Sequence, residues 1–211
     1  MLRVLLALSA LLLTGCSPAL RAEMLSPNDI ALEWRGSAMR AVEFATSPDG
    51  PYTVLQFAPP SQNTYKHPDL MPRTPFYYRL RTIHGPVSGL VPVSLPPGDF
   101  DESADHSWAP PRVVLSGAVR SPGAAPTDLR AEVKHANGIL FTWTDNASDE
   151  EGYLVEVRAE GAAEFRVAAV LDADVNSFGL VTLEEEKVAE YRVRAYYSGE
   201  VSNVVRLVTG G

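Results

Sequence analysis

Cysteine is nearly absent from this 211-residue chain, positive charge is in deficit, and no apolar run is long enough to cross a bilayer. The one cysteine, Cys16, leaves no partner for a disulfide within the chain and no cysteine-based metal site. With 18 basic against 26 acidic residues the formal net charge is −8. A surface this acidic repels a phosphate backbone, so nucleic acid is not an expected partner, and charge alone would not hold the chain on anionic lipid. A nucleophile elbow, P-loop, dinucleotide fingerprint and zinc motif are all missing. The four histidines, His67, His84, His106 and His135, stand at no local ligand spacing and read as exposed loop residues. The expectation is a protein that is not an enzyme and carries neither cofactor nor metal.

What is present points to many short strands. Hydrophobic residues make up 45% and charged residues 21%, a globular composition, and the 17 prolines and 15 glycines are scattered as turn residues would be. No segment beyond the first residues shows a clear 3.6-residue apolar period. Glu184-Glu185-Glu186-Lys187 reads most simply as a solvated loop.

The N-terminus is different. After Arg3, the stretch Val4 to Leu13 is apolar apart from Ser9, too short for a span of roughly 20 residues but right for the apolar region of a signal peptide. It ends in Leu13-Thr14-Gly15-Cys16, which resembles the lipobox of bacterial lipoproteins. The resemblance implies a signal peptide over 1–15, cleavage before Cys16 and lipid attachment at its thiol. The membrane is then a partner through that lipid, since two or three acyl chains anchor where one does not. Losing 1–15 removes Arg3 and leaves 17 basic against 26 acidic residues, a net charge of −9. Ser17 after the cysteine favours, by the same resemblance, the outer membrane of the cell envelope. No long Ser/Gly tether follows Cys16, so the first domain is expected against the membrane and the second further out.

The chain repeats itself. At an offset of 109, Leu20-Arg21-Ala22-Glu23 falls on Leu129-Arg130-Ala131-Glu132, Ile30 on Ile139 and Trp34 on Trp143. Four extra residues then move the offset to 113, placing Val42-Glu43 on Val155-Glu156 and Tyr78-Arg79-Leu80-Arg81 on Tyr191-Arg192-Val193-Arg194. One more brings Val87-Ser88 onto Val201-Ser202. Within each copy, apolar residues alternate with polar ones, as in Ile30, Leu32, Trp34 and in Phe76, Tyr78, Leu80, which is the period of a half-buried strand. Ser47-Pro48-Asp49-Gly50-Pro51 marks a turn.

Short strands at this spacing predict antiparallel β-sandwiches. The second copy carries Phe141-Thr142-Trp143 in an early strand, Tyr191-Arg192-Val193-Arg194-Ala195 in a late one, then Gly199-Glu200-Val201-Ser202. These features resemble fibronectin type III domains. The first copy departs from the pattern, with Thr82 in place of Ala195 and a shorter loop before its third strand. The resemblance covers roughly residues 18–95 and 126–208 and implies an all-β chain of two tandem fibronectin type III-like, immunoglobulin-like sandwiches. The organisation read from it is domain 1 over 17–98, a linker over 99–125 and domain 2 over 126–211.

Candidate binding residues are few. Asp145, Asn146, Asp149, Glu150 and Glu151 cluster in the extended loop of the second copy. Such carboxylates could hold calcium or serve as an acid–base pair, although the spacing is not that of an EF-hand, and the simplest reading is a loop of capping side chains. Trp108, alone in a polar linker, is either a docking residue or part of a binding surface. Arg112 to Ser116 could add an edge strand to either domain. The pairs Arg79/Arg81 and Arg192/Arg194 read as solvated strand faces, with an anion site as the alternative. The functional expectation is a non-catalytic envelope lipoprotein whose domains bind or scaffold a protein or glycan. The alternative is an accessory module for extracellular polysaccharide degradation.

Overall fold

The structure, a computed structural model, describes residues 19–115 and 117–210, so the signal segment 1–15 and Cys16 lie outside the described residues. Strands appear where the alternation predicts them. The first half contributes β1 (Arg21–Ser26), β2 (Asp29–Glu33), β3 (Arg40–Ala45), β4 (Thr53–Ala58), β5 (Thr64–His67) and β6 (Pro75–His84), followed by β7 (Val91–Ser94). The second contributes β8 (Thr127–His135), β9 (Gly138–Thr144), β10 (Gly152–Ala159), β11 (Arg166–Asp172), β12 (Ser177–Val181) and β13 (Val188–Val201), followed by β14 (Val205–Val208). The only helical piece among the described residues is a 3-10 turn over Glu184–Glu186, where a solvated loop was expected. Its Glu186 is buried, ion-paired to Arg166 and accepting from the Leu183 amide, which is why the segment is ordered.

All sheet pairing between strands is antiparallel, and each half is a sandwich. Small sheets ordered β1-β2-β5 and β12-β9-β8 cover the inner face of one large sheet ordered β11-β10-β13-β6-β3-β4. Ile30, Leu32, Trp34, Val42, Tyr78 and Leu80 fill the first core. Their repeat equivalents Ile139, Phe141, Trp143, Val155, Tyr191 and Val193 fill the second.

The last strand of each copy does not return to its own sandwich. β7, from the first copy, pairs with β13 of the second, Val91 opposite Tyr191 and Ser94 opposite Val188. β14, from the second copy, pairs with β6 of the first, Val205 opposite Tyr78 and Val208 opposite Pro75. The cores agree with the pairing: Val93 and Leu95 are buried in the second, and Val205 and Leu207 pack on the first. The halves that exist in space are therefore not the halves of the sequence, because each sandwich is completed by a strand of the other copy.

The crossing repeats in both copies. β6 and β13 meet at their C-terminal ends, His84 opposite Tyr197, which makes the large sheet continuous. Beyond His84 the chain runs straight on. The Ser88 amide donates to the Val193 carbonyl at 2.8 Å, and the Val193 amide donates to Ser88 Oγ at 3.0 Å. At the equivalent place Ser202 N donates to the Leu80 carbonyl and Leu80 N to Ser202 Oγ, both at 2.9 Å. Gly85 is required there. Its φ is +137°, and a Cβ on it would stand 1.9 Å from the Ala195 carbonyl oxygen of the crossing strand.

A third core locks the halves together on the outer face of the large sheet. Met39, Ala41, Ile83 and Leu154 are buried there with Phe57, Val167 and Tyr196 packed against them. This explains β10, whose residues Gly152 to Val157 are all buried: one face looks into the second core and the other toward this junction.

Candidate functional site

The five polar residues of the extended loop between β9 and β10 are committed to internal bonds. Asp145, 1% exposed, accepts from the Tyr153 hydroxyl, the Ala147 amide and the Arg120 guanidinium. Burial, and then the Asp145 carboxylate, push the Tyr153 phenol above its ordinary pKa. Asn146 donates to the Ala125 carbonyl and to Thr127 Oγ1, which fixes the end of the linker. Asp149 accepts from the Gly123 amide and the Tyr197 hydroxyl, whose pKa burial and this bond push up to about 12. Glu150 is buried and accepts from the Asp174 amide. Glu151 accepts from both the amide and the hydroxyl of Ser198.

Asp145, Glu150 and Asp174 offer carboxylate oxygens within 4.8 Å of one another, a grouping that could hold a cation. Arg120 bridges Asp145 and Asp174, so a guanidinium supplies the positive charge a metal would bring. Neither Asp174 nor Arg120 was legible as part of this cluster from local sequence.

The linker is docked. Arg112 makes a single bridge to Ser177, and Asn176 exchanges two hydrogen bonds with Val114, so this segment lies against the open edge of β12 without forming a strand. Trp108 is half-buried, its Nε1 donates to the Asp105 carbonyl at 2.8 Å, and its ring presses on Gly179, where an added Cβ would stand 2.5 Å from Cζ3. Around it gather Phe100, His106 and His135. His106 and His135 are thus half-buried in an aromatic cluster rather than exposed in loops. His67 departs from the sequence reading too. It ends β5 inside a cluster with Phe44 and Phe76, within 2.9 Å of the Tyr78 hydroxyl, and burial lowers its pKa.

The arginine pairs are not simply solvated. Glu43 on β3 lies across from Arg79 on β6 and takes the Nε donors of both Arg79 and Arg81. Glu156 on β10, fully buried, does the same for Arg192 and Arg194. Arg79 stacks on Tyr52 at 3.7 Å and Arg192 on Phe165 at 4.0 Å. The recurrence of carboxylate, two arginines and an aromatic ring in both copies marks these as paired ladders that stiffen each outer face.

No protein-family model matches the chain, and no curated protein matches it in sequence. Among solved structures it is similar to a two-domain fibronectin type III segment of chicken tenascin, at 16% identity over 92% of this chain and 99% of that one, with a TM-score of 0.31. It is similar also to the FN1–FN3 domains of chicken CNTN1, at 16% identity over 92% of this chain and 66% of that one, again with a TM-score of 0.31. Overlap at that level bears on neither site nor partner.

Proposed function

We propose that this protein is a non-catalytic, membrane-anchored cell-envelope lipoprotein whose two interlocked sandwiches bind or scaffold a protein or glycan. The observation that carries the reading is the continuous large sheet joining both modules. Two sandwiches that share strands and a third core present their surfaces at fixed relative positions, as a scaffold requires, whereas beads on a flexible linker would not. The polar groups best suited to chemistry in the β9–β10 loop are spent on holding the linker and β13 in place.

Leu13-Thr14-Gly15-Cys16 supports lipid anchoring, and the contacts of Leu20 bear on where such an anchor would sit. Leu20 exchanges two hydrogen bonds with Asn203, in the connection that crosses between the halves. Cys16 precedes Ala19 by three residues, a reach of about 10 Å. On this reading the anchor holds the molecule near its middle, so that both halves flank the attachment point instead of the second standing beyond the first.

The test is the intact mass of protein purified from membranes, beside a Cys16→Ser variant. A chain beginning at Cys16 with added diacylglycerol mass, absent from the variant, supports the proposal. An unmodified protein found free of membranes overturns the anchoring.

A further inference from the structure

Two imidazoles meet where the linker docks. His106 comes from the linker and His135 from the end of β8, and their ring centroids stand 5.2 Å apart with the planes at 79°. The Nε2 atoms of both are shut off from solvent, and neither has a hydrogen-bond partner among the described residues. On His135, Nδ1 lies 2.9 Å from Asn137 Oδ1. An amide oxygen only accepts, so Nδ1 carries the proton and Nε2 is left with a lone pair and nothing to receive. A metal-bound imidazole is held in the same way, by an outer acceptor that fixes its tautomer. Phe100 stands 4.9 Å from the His106 ring and Trp108 5.4 Å from the His135 ring, an apolar shell around the two nitrogens.

Buried polar side-chain atoms are mostly paired, with protein, ordered water or an ion. Two unpaired ones on neighbouring imidazoles point to an ion. With each Nε2 about 2.0–2.1 Å from a shared tetrahedral ion, ring centroids fall about 5 Å apart.

We propose that His106 and His135 bind a divalent transition-metal ion through their Nε2 atoms, with water completing the coordination. The donors select the class of ion. Imidazole suits zinc, copper, nickel and cobalt, whereas calcium and magnesium take oxygen ligands. One ligand comes from the linker and one from the second sandwich, so the ion clips the linker to that sandwich at Trp108.

The test uses the protein with Cys16→Ser, which removes the thiol as a competing ligand. Zn²⁺ is titrated by calorimetry, and Cu²⁺ is followed by quenching of tryptophan fluorescence. One ion per chain is expected, with affinity at least about tenfold lower in His106→Gln and in His135→Gln, and unchanged in His67→Gln and His84→Gln. Quenching by Cu²⁺ should fall in Trp108→Phe. If His135→Gln fails to fold, His106→Gln decides, because its side chain lies in the linker outside both sandwich cores. No uptake of either ion by the parent protein, or uptake undiminished in His106→Gln, overturns the proposal.

Discussion

Replacing Gly85 by alanine should break the crossing without removing any core side chain. The residue holds φ at +137°, and the new methyl would be driven to 1.9 Å from the Ala195 carbonyl oxygen, a backbone atom inside a paired strand. Forcing a non-glycine residue into that backbone region costs about 1–3 kcal/mol. Displacing a packed neighbour adds about 1–3 kcal/mol. The shift also strains two bonds beside it, Ala195 N to the Pro86 carbonyl at 3.1 Å and Arg194 Nη1 to the Gly85 carbonyl at 2.6 Å. A loss of roughly 4 kcal/mol should lower Tm by about 12 °C in a protein of this size. Gly89, in the same connection, is the control: no atom of the described residues stands within 4 Å of its virtual Cβ, and alanine there should change stability by no more than about 0.5 kcal/mol. Calorimetry on both variants makes the comparison, and the parent should melt in one transition. Equal melting of the two variants would refute the reasoning, since only a straight crossing brings Gly85 onto Ala195.

Glu156→Gln should cost about 2–4 kcal/mol by urea unfolding, because Arg192 and Arg194 lose a buried counter-charge. Glu190→Gln, which breaks the more exposed pair with Arg158, should cost under about 1 kcal/mol. Trp143→Ala should cost about 3–5 kcal/mol and take the whole molecule down with it, visible as one shifted transition. A chain cut by an inserted protease site between Asp101 and Ala104 should still elute at the size of the intact protein, and separate fragments in native buffer would count against strand exchange. Burial lowers the His67 pKa, so the unfolded chain binds a proton more readily than the folded one. Stability from this group is complete above about pH 6.5 and declines as pH falls through the folded value. His67→Gln should flatten the fall in Tm between pH 7 and pH 5.

The sandwiches were legible in the sequence because their cores repeat. Trp34 and Trp143, or Tyr78 and Tyr191, occupy equivalent buried places, and period-two alternation reports burial directly. The exchange was not legible. β7 and β14 carry the same short apolar pattern whichever edge they complete, and alternation says nothing about which β6-like strand lies beside them. Gly85 is the one local trace, and a glycine before a proline reads as an ordinary turn until the opposing carbonyl is known.

The same limit governs the polar residues. Whether Arg79 faces Glu43 or solvent depends on register between strands 36 positions apart. A signal was nevertheless present, since the glutamate and both arginines recur together in each copy. The acidic loop looked available because its neighbours in sequence are polar, but its partners Arg120, Gly123 and Ser198 arrive from the linker and from β13. His106 and His135 stand at no ligand spacing along the chain; only the docking of Trp108 on Gly179 brings them together.

The central claim is that each sandwich is closed by the other copy's last strand. A designed disulfide tests it most directly, since with Cys16→Ser the chain has no other thiol. Arg206 stands opposite Tyr77 across β14 and β6, close enough for two cysteines to bridge. Oxidised Tyr77→Cys/Arg206→Cys protein should form that bond within a monomer, read by non-reducing electrophoresis and peptide mass. The control is Glu190→Cys/Arg206→Cys, because Glu190 holds the position on β13 equivalent to Tyr77 on β6. The account predicts a bond in the first variant and none in the second. The reverse result would mean that β14 folds back onto its own copy and that the two domains are not interlocked.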